Sequence, residues 1–389
     1  MDAGEPGGLS RRKRRAVALA AAAAVAVVVT GAVYLRPSLA GPKPAPAAAL
    51  PTADPYASTD YVNYEFPSSS VGWAVGLPRS QQGNFWVART IDGGKHWQMR
   101  YKGLGNAMTG PYVVRFFDEK RGFVAAGTSD KVLRTTDGGA TWKSFSVPDS
   151  RNSYLRFNDE NHGLMIVSSL TQLGLRSYDR PAEVYATDDG GDSWRRLPDA
   201  PAGMDLIASR GSSEAWLAGA TGGQPRVYRS LDGGLSWQPR DIPIDAAALG
   251  PGPWNTSVTL LPGVGVVVSA YCQCESGSWN MFSSFDGGAT WRSIPGPQDP
   301  RVPGRRFAAY QDDIHWWYVE AKALYRSSDA GQTWTKISAQ LPDGVFIPQA
   351  IDTKHAWARI VSDKSRSHGL ATTSDAGLHW TKVKVPQAP

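Results

Sequence analysis

Cysteine and histidine are scarce in this 389-residue chain, with 2 and 6 copies. Cys272 and Cys274 form the only cysteine pair, and no histidine or third cysteine stands beside them to complete a metal-ligand set. A short disulfide loop or a reactive thiol pair remains open for them, the loop being geometrically demanding. The histidines show neither ligand spacing nor a nucleophile partner, and no phosphate-cradling glycine loop appears. We therefore expect no metal and no cofactor. A basic face is lacking too. Of the net charge of +6, +4 belongs to residues 1–36, which leaves the rest nearly neutral and without a nucleic-acid footprint.

Long hydrophobic runs are equally few. One stands out, Ala16 to Leu35, twenty residues without a charge behind Arg11-Arg12-Lys13-Arg14-Arg15. About 20 apolar residues cross a bilayer as a helix, and the basic flank places the N-terminus in the cytoplasm. The expected order is a cytoplasmic basic tail over 1–15, a transmembrane helix or signal anchor over 16–35, and a Pro/Ala-rich linker over 36–59. A cleaved secretory signal, with Ser38-Leu39-Ala40 as its cleavage site, is the competing reading and would make the protein secreted. Either way the remainder, 60–389, lies outside the cytoplasm, in a single-pass membrane protein if the helix is retained.

What is abundant is glycine (41), proline (28) and tryptophan (15), a composition suited to short strands, tight turns and aromatic packing rather than a helical bundle. One string recurs seven times: Thr90–Trp97, Thr135–Trp142, Thr187–Trp194, Ser230–Trp237, Ser284–Trp291, Ser327–Trp334 and Thr373–Trp380. Each copy holds an aspartate (Asp92, Asp137, Asp189, Asp232, Asp286, Asp329, Asp375) that can accept hydrogen bonds from its own turn. Each also holds an invariant glycine (Gly94, Gly139, Gly191, Gly234, Gly288, Gly331, Gly377) suited to positive φ, then a tryptophan able to pin the hairpin to its own sheet. His96 and His379 replace the usual Thr or Ser.

Strand patterns precede each string, such as Val132-Leu133-Arg134 and Gly72-Trp73-Ala74-Val75-Gly76, and a fourth strand starts at the tryptophan. The apolar residue three places beyond that tryptophan breaks strict alternation and predicts a bulged outer strand. Four strands per unit at this spacing predict an all-β fold, a seven-bladed β-propeller with four-stranded antiparallel blades, preceded by the N-terminal transmembrane helix. No blade hides both faces alone, so the units close into a ring. The first unit begins near Tyr61 and the last ends at Val385, which leaves closure without a shared strand unless residues before Tyr61 add one.

The repeated string resembles the Asp-box, or BNR repeat, S/T-x-D-x-G-x-[T/S]-W, over about residues 60–386. Families with such boxes include sialidases, xyloglucan-cleaving glycosidases and sortilin-type receptors. The photosystem II assembly factor family is most similar in blade number and in its unit style, seen here from Phe117-Asp118 to Gly127 and from Thr135 to Trp142. The resemblance implies that the boxes are structural hairpins remote from the ligand face, so none of the seven aspartates is assigned to catalysis.

Two functions follow. The first is a binding or assembly scaffold, a monomeric propeller presenting one face to a protein or envelope-glycan partner. The alternative is a glycoside hydrolase, sialidase-like or xyloglucanase-like. A sialidase would need an arginine cluster and a Tyr/Glu pair, and no F/Y-R-I-P string precedes the first box. A xyloglucanase would need two facing carboxylates, with Asp118, Asp159, Asp205, Glu275, Asp312, Asp313, Glu320 and Asp352 as candidates outside the boxes. They are more readily read as turn and surface acids, several lying just after the innermost strand. Aligning the units places Glu65, Arg115, Arg156, Ala308 and Gln349 at one level of the innermost strand, where Glu65, Arg115, Arg156 and Gln349 would line a central channel and either bind an anionic or peptide ligand or pair with each other and with water.

Overall fold

A computed structural model describes residues 61–77, 83–105, 112–126, 131–149, 153–167, 181–244, 254–272, 279–296, 306–320, 323–337, 341–343, 345–362 and 367–386. The N-terminal tail, the Ala16–Leu35 run, the linker and Cys274 lie outside the described residues. Within them no helix is long and apolar enough to cross a membrane.

Among the described residues, twenty-eight strands form seven blades of four, each built from consecutive antiparallel strands. The chain is a seven-bladed β-propeller. First strands are Tyr61–Glu65, Tyr112–Phe116, Ser153–Phe157, Met204–Arg210, Trp254–Leu260, Arg306–Tyr310 and Val345–Ala350. They sit innermost, and those of blades 1 to 5 and of blades 6 and 7 touch the first strands of their neighbours. In blades 2 and 3 the approach produces a parallel bridge, Tyr112 to Tyr154, which joins the two blades into one eight-stranded sheet. Second strands carry near-continuous apolar runs because both of their faces are covered: Gly72–Leu77 is buried throughout. Fourth strands are outermost and, apart from Gln98–Gly105 in blade 1, short, as in Arg195–Arg196 and Arg292–Ser293, both exposed.

The expected outer-strand bulge does not occur at Phe145, Ile337 or Val383, where pairing is regular; pairing slips in blade 1, between Val87 and Ala88, where Arg100 rather than an apolar residue stands three places beyond the tryptophan. Elsewhere the off-pattern apolar residue has another cause. In blades 3 and 5 the fourth strand ends before Leu197 and Ile294, which turn inward and are buried beyond it.

Each box turn satisfies its own polar groups. In the second, Thr135 Oγ1 accepts the Gly139 N–H at 2.8 Å and donates to Asp137 Oδ1 at 3.0 Å. That oxygen also accepts the Thr141 N–H at 2.9 Å, while Asp137 Oδ2 accepts the Thr141 hydroxyl at 2.6 Å. Where histidine replaces the second hydroxyl, imidazole Nδ1 takes its place, 2.6 Å from Asp92 Oδ2 for His96 and 2.6 Å from Asp375 Oδ2 for His379. The residue before the invariant glycine also has positive φ, including Ala330 (59°) and Ala376 (64°), a conformation that costs a non-glycine roughly 1–2 kcal/mol. The turn holds it there by docking. The Ala376 N–H donates to Lys354 O at 2.9 Å and the Gly138 N–H to Lys120 O at 2.9 Å, tying the box to the turn between the first two strands of its blade.

The box tryptophans act between blades rather than on their own sheets alone. Trp142 Nε1 donates to Arg100 O of blade 1 at 3.1 Å and Trp334 Nε1 to Pro295 O of blade 5 at 2.8 Å. Aromatic stacks reinforce the same seams. The ring centroids of Trp73 and Phe116 lie 4.0 Å apart and those of Phe123 and Phe157 3.7 Å apart, each pair stacked with nearly parallel planes. Blade 7 meets blade 1 with the same parts: Phe66 stacks on Trp357 at 3.8 Å, and Trp97 Nε1 donates to Lys384 O at 2.9 Å. Val383 and Val385 fill the gap. The ring thus closes by side-chain packing, with no strand shared between the described first and last blades.

Two expected outcomes follow from these contacts. Phe66→Ala should cost about 3–5 kcal/mol, as does removing a core aromatic, and should match Phe157→Ala at an interior seam. Chemical denaturation of both variants checks this; a cost below about 1 kcal/mol for Phe66 alone would show that the stack does not hold the closing seam. The second outcome concerns pH. The Asp137 and Asp189 carboxyls are held at about 2, first by the Thr141 and Ser193 hydroxyls and then by backbone N–H groups, and Asp232 is held at about 2, first by the Ser230 hydroxyl. The unfolded value is about 3.9. Stability from these groups is therefore complete above about pH 4 and lost as pH falls towards 2. Thermal midpoints recorded down that range should drop steeply, and Asp137→Asn should flatten the drop.

Candidate functional site

Pairing with the second strand sets the level of each inner-strand residue. Opposite Trp73, Phe123, Leu164, Trp216, Val267, Trp317 and Trp357 stand Glu65, Arg115, Arg156, Ala208, Thr259, Ala309 and Gln349. Ala309, not Ala308, holds the position in blade 6. The difference has a local cause: blade 6 begins its second strand with Trp316 where three others have glycine, so the pattern allows a one-residue slip. Ala309 is buried, whereas Arg115, Arg156 and Thr259 are exposed.

Three of the four expected channel residues come together. Arg115 Nη1 donates to Glu65 Oε1 at 3.0 Å, and the Phe116 backbone N–H donates to Glu65 Oε2 at 2.9 Å. The Glu65 side chain is 13% exposed and that of Arg115 47%. Burial raises the Glu65 carboxyl above its ordinary value, against the opposing pull of Arg115, of the Phe116 N–H and of the Arg156 charge. Arg156, one blade further on, lies over the Tyr154 ring at 4.6 Å and donates to the Tyr154 hydroxyl. Arg115 stands over the Phe117 ring at 5.3 Å. Gln349 is half-buried on blade 7 and makes no hydrogen bond to the other three among the described residues. Arg156 forms no ion pair among the described residues, so its guanidinium retains donors for an anion.

The acids outside the boxes are largely engaged in turns. Asp159 Oδ1 accepts the Asn161 and His162 N–H groups at 2.8 Å each, Asp312 Oδ1 those of Ile314 and His315, and Asp352 Oδ1 those of Lys354 and His355. Asp118 does the same for Lys120 and Arg121 and also pairs with the Arg121 side chain. Asp313 caps the neighbouring blade instead, accepting the Val264 and Gly265 N–H groups. Glu275 lies outside the described residues, as does the Glu320 side chain. The inter-blade role of Asp313 was hidden in the sequence, because it depends on two turns 49 residues apart.

Among the described residues, no three His, Cys, Asp or Glu side chains gather to hold a metal. Cys272 is buried at the end of Val266–Cys272 and is disulfide-bonded. A groove of about 420 Å³ follows the outer edge of blade 4, beside Gln224, Arg226, Tyr228 and Asp241, and contains none of the expected site residues.

Comparison with known proteins places these features among relatives. The family model "Sortilin, neurotensin receptor 3" matches residues 85–218. The photosystem II assembly lipoprotein Ycf48 of Synechococcus sp. (strain CC9902) is 29% identical over 253 residues, covering 60% of this chain and 64% of that protein, so the match spans less than two thirds of the relative's length. In fold, the chain is similar to a structure described as YCF48 bound to D1 peptide, with a TM-score of 0.55, 19% identity, and coverage of 82% of this chain and 94% of the other. It is also similar in fold to an ancestral GH74 enzyme, with a TM-score of 0.53, 16% identity, and coverage of 82% and 47%.

Proposed function

We propose that this protein is an assembly scaffold of the Asp-box propeller type that binds a peptide segment of a protein partner outside the cytoplasm. The 16–35 segment would tether it to the membrane and the 36–59 linker would hold the propeller clear of the surface. Arg115 and Arg156 line the channel and take the carboxylate of the peptide, with Gln349 available for its amides.

The observation that carries this reading is the exposure of two guanidinium groups on the innermost strands of adjacent blades, one of them without a carboxylate partner among the described residues. The curated relative is an assembly protein, and the similar solved structure is described with a bound peptide. Against a glycoside hydrolase stands the turn bonding of Asp118, Asp159, Asp312, Asp313 and Asp352, which leaves these acids poorly placed to exchange protons with a sugar.

The test uses the full-length protein and a mixed-sequence decapeptide pool with free C-terminal carboxylates, read by fluorescence anisotropy beside the same pool amidated. Binding of the carboxylate pool should weaken by roughly a hundredfold in an Arg115→Ala, Arg156→Ala double variant, since each charge-assisted bond contributes about 1.5–3 kcal/mol. Equal binding by the double variant, or turnover of glycosides without peptide binding, would reject the scaffold reading.

A further inference from the structure

Seven residues share the level of the inner strand described above, and only one is acidic. Glu65 stands among Arg115, Arg156, Ala208, Thr259, Ala309 and Gln349, at the register position next to the closing seam of the ring. Its two oxygens are engaged by different donors, Oε1 by Arg115 and Oε2 by the Phe116 N–H. Both donors come from the neighbouring blade. The carboxylate therefore occupies, from within the protein, the guanidinium that an incoming anion would need.

We propose that Glu65 is a built-in competitor for Arg115, which an anionic peptide must displace, so that neutralising Glu65 strengthens binding. This rests on the peptide-binding reading of the same site. The exchange has a definite balance. When the ligand carboxylate takes Arg115, Glu65 keeps the Phe116 N–H but loses its cation, and a mostly buried carboxylate without its cation binds a proton. Binding is thus accompanied by proton uptake.

The groups facing Glu65 allow this direction. On blade 2 these are Arg115 and the Phe116 N–H, and on blade 3 Arg156, whose charge also acts on Glu65. On its own strand stand Tyr64, whose hydroxyl burial keeps neutral, and Asn63, which accepts from Arg359 Nη1 of blade 7 at 2.8 Å. The Arg359 charge acts on the neighbouring Tyr64 hydroxyl. Free Glu65 already binds its proton more readily than an ordinary glutamate, because burial outweighs its cations. Displacement of Arg115 raises that tendency further, so the complex binds more protons than the free protein. Affinity must then rise as pH falls on the acid side of neutral, while a peptide terminus of pKa about 3.3–3.7 stays ionised.

The experiment measures binding of the same carboxylate-terminated decapeptide pool to the full-length wild-type and Glu65→Gln proteins between pH 7.5 and 5.5. In the wild type affinity should increase as pH falls. In Glu65→Gln it should be roughly tenfold tighter at pH 7.5, the equivalent of one pKa unit, and nearly independent of pH. Phenylglyoxal labelling without ligand, with Arg156 as internal reference, should modify Arg115 several-fold faster in Glu65→Gln. Unchanged or weaker binding by a folded Glu65→Gln, or a flat wild-type pH profile, would overturn the competitor role. If the pool binds neither protein, peptide recognition fails, and the labelling still decides: equal Arg115 rates would overturn the Glu65 role as well.

Discussion

The ring depends on how one blade's flat aromatic face meets the next. A four-stranded sheet has two apolar faces and cannot bury both against itself. At three seams the second strand offers an aromatic ring, and the residue ending or following the next blade's first strand lays another upon it. The pairs Trp73 with Phe116, Phe123 with Phe157, and Trp357 with Phe66 have nearly equal spacings. Such pairs contribute about 0.5–1.5 kcal/mol beyond their buried area. Arg89, Arg229 and Arg326 cover Trp73, Trp216 and Trp317, and Arg89 reaches Gly138 O of the next blade. Because the closing seam uses the interior vocabulary, first and last blades need no exchanged strand.

That vocabulary also explains which features could be read from residues alone. The seven boxes, their phase with the strand pattern and the start near Tyr61 are local features, repeated often enough to give blade number. What escaped was relational. The box tryptophan was expected to serve its own sheet, yet Trp97, Trp142 and Trp334 donate across seams to Lys384, Arg100 and Pro295. Nothing local distinguishes an indole facing its own sheet from one facing a neighbour. Likewise the level of Ala309 was one residue from its expected place, since inner strands are short and their alternation is weak. For the candidate site, Glu65, Arg115 and Arg156 were legible as a shared level, while the bond between Glu65 and Arg115 required the fold to bring together residues 50 apart.

The box aspartates are committed to their own turns. In each box one carboxylate oxygen takes a hydroxyl and a backbone N–H, and the other takes a hydroxyl or an imidazole nitrogen. Such a carboxylate is stabilised as an anion and has little capacity left for a ligand. Its low pKa here reflects a satisfied turn and is not a sign of catalytic tuning. The same holds for Asp159, Asp312 and Asp352, each bonded to a histidine three residues on. Pairs of this kind resemble acid–base couples in a contact list, yet their carboxylates are committed to backbone donors.

Individuality must therefore come from positions that the repeat does not fix. Along the inner strands the seven equivalent residues are a glutamate, two arginines, two alanines, a threonine and a glutamine. The frame around them is close to sevenfold, and their chemistry is not. Charge is confined to blades 1 to 3, where an anion would meet cations on one side and small or uncharged side chains on the other. A ligand bound there would be oriented by that asymmetry rather than free to rotate about a symmetric axis. A frame whose own polar groups are satisfied turn by turn can carry such a sector, because exchanging Arg156 removes no box contact and no aromatic seam, and exchanging Arg115 disturbs the Glu65 carboxylate it pairs with.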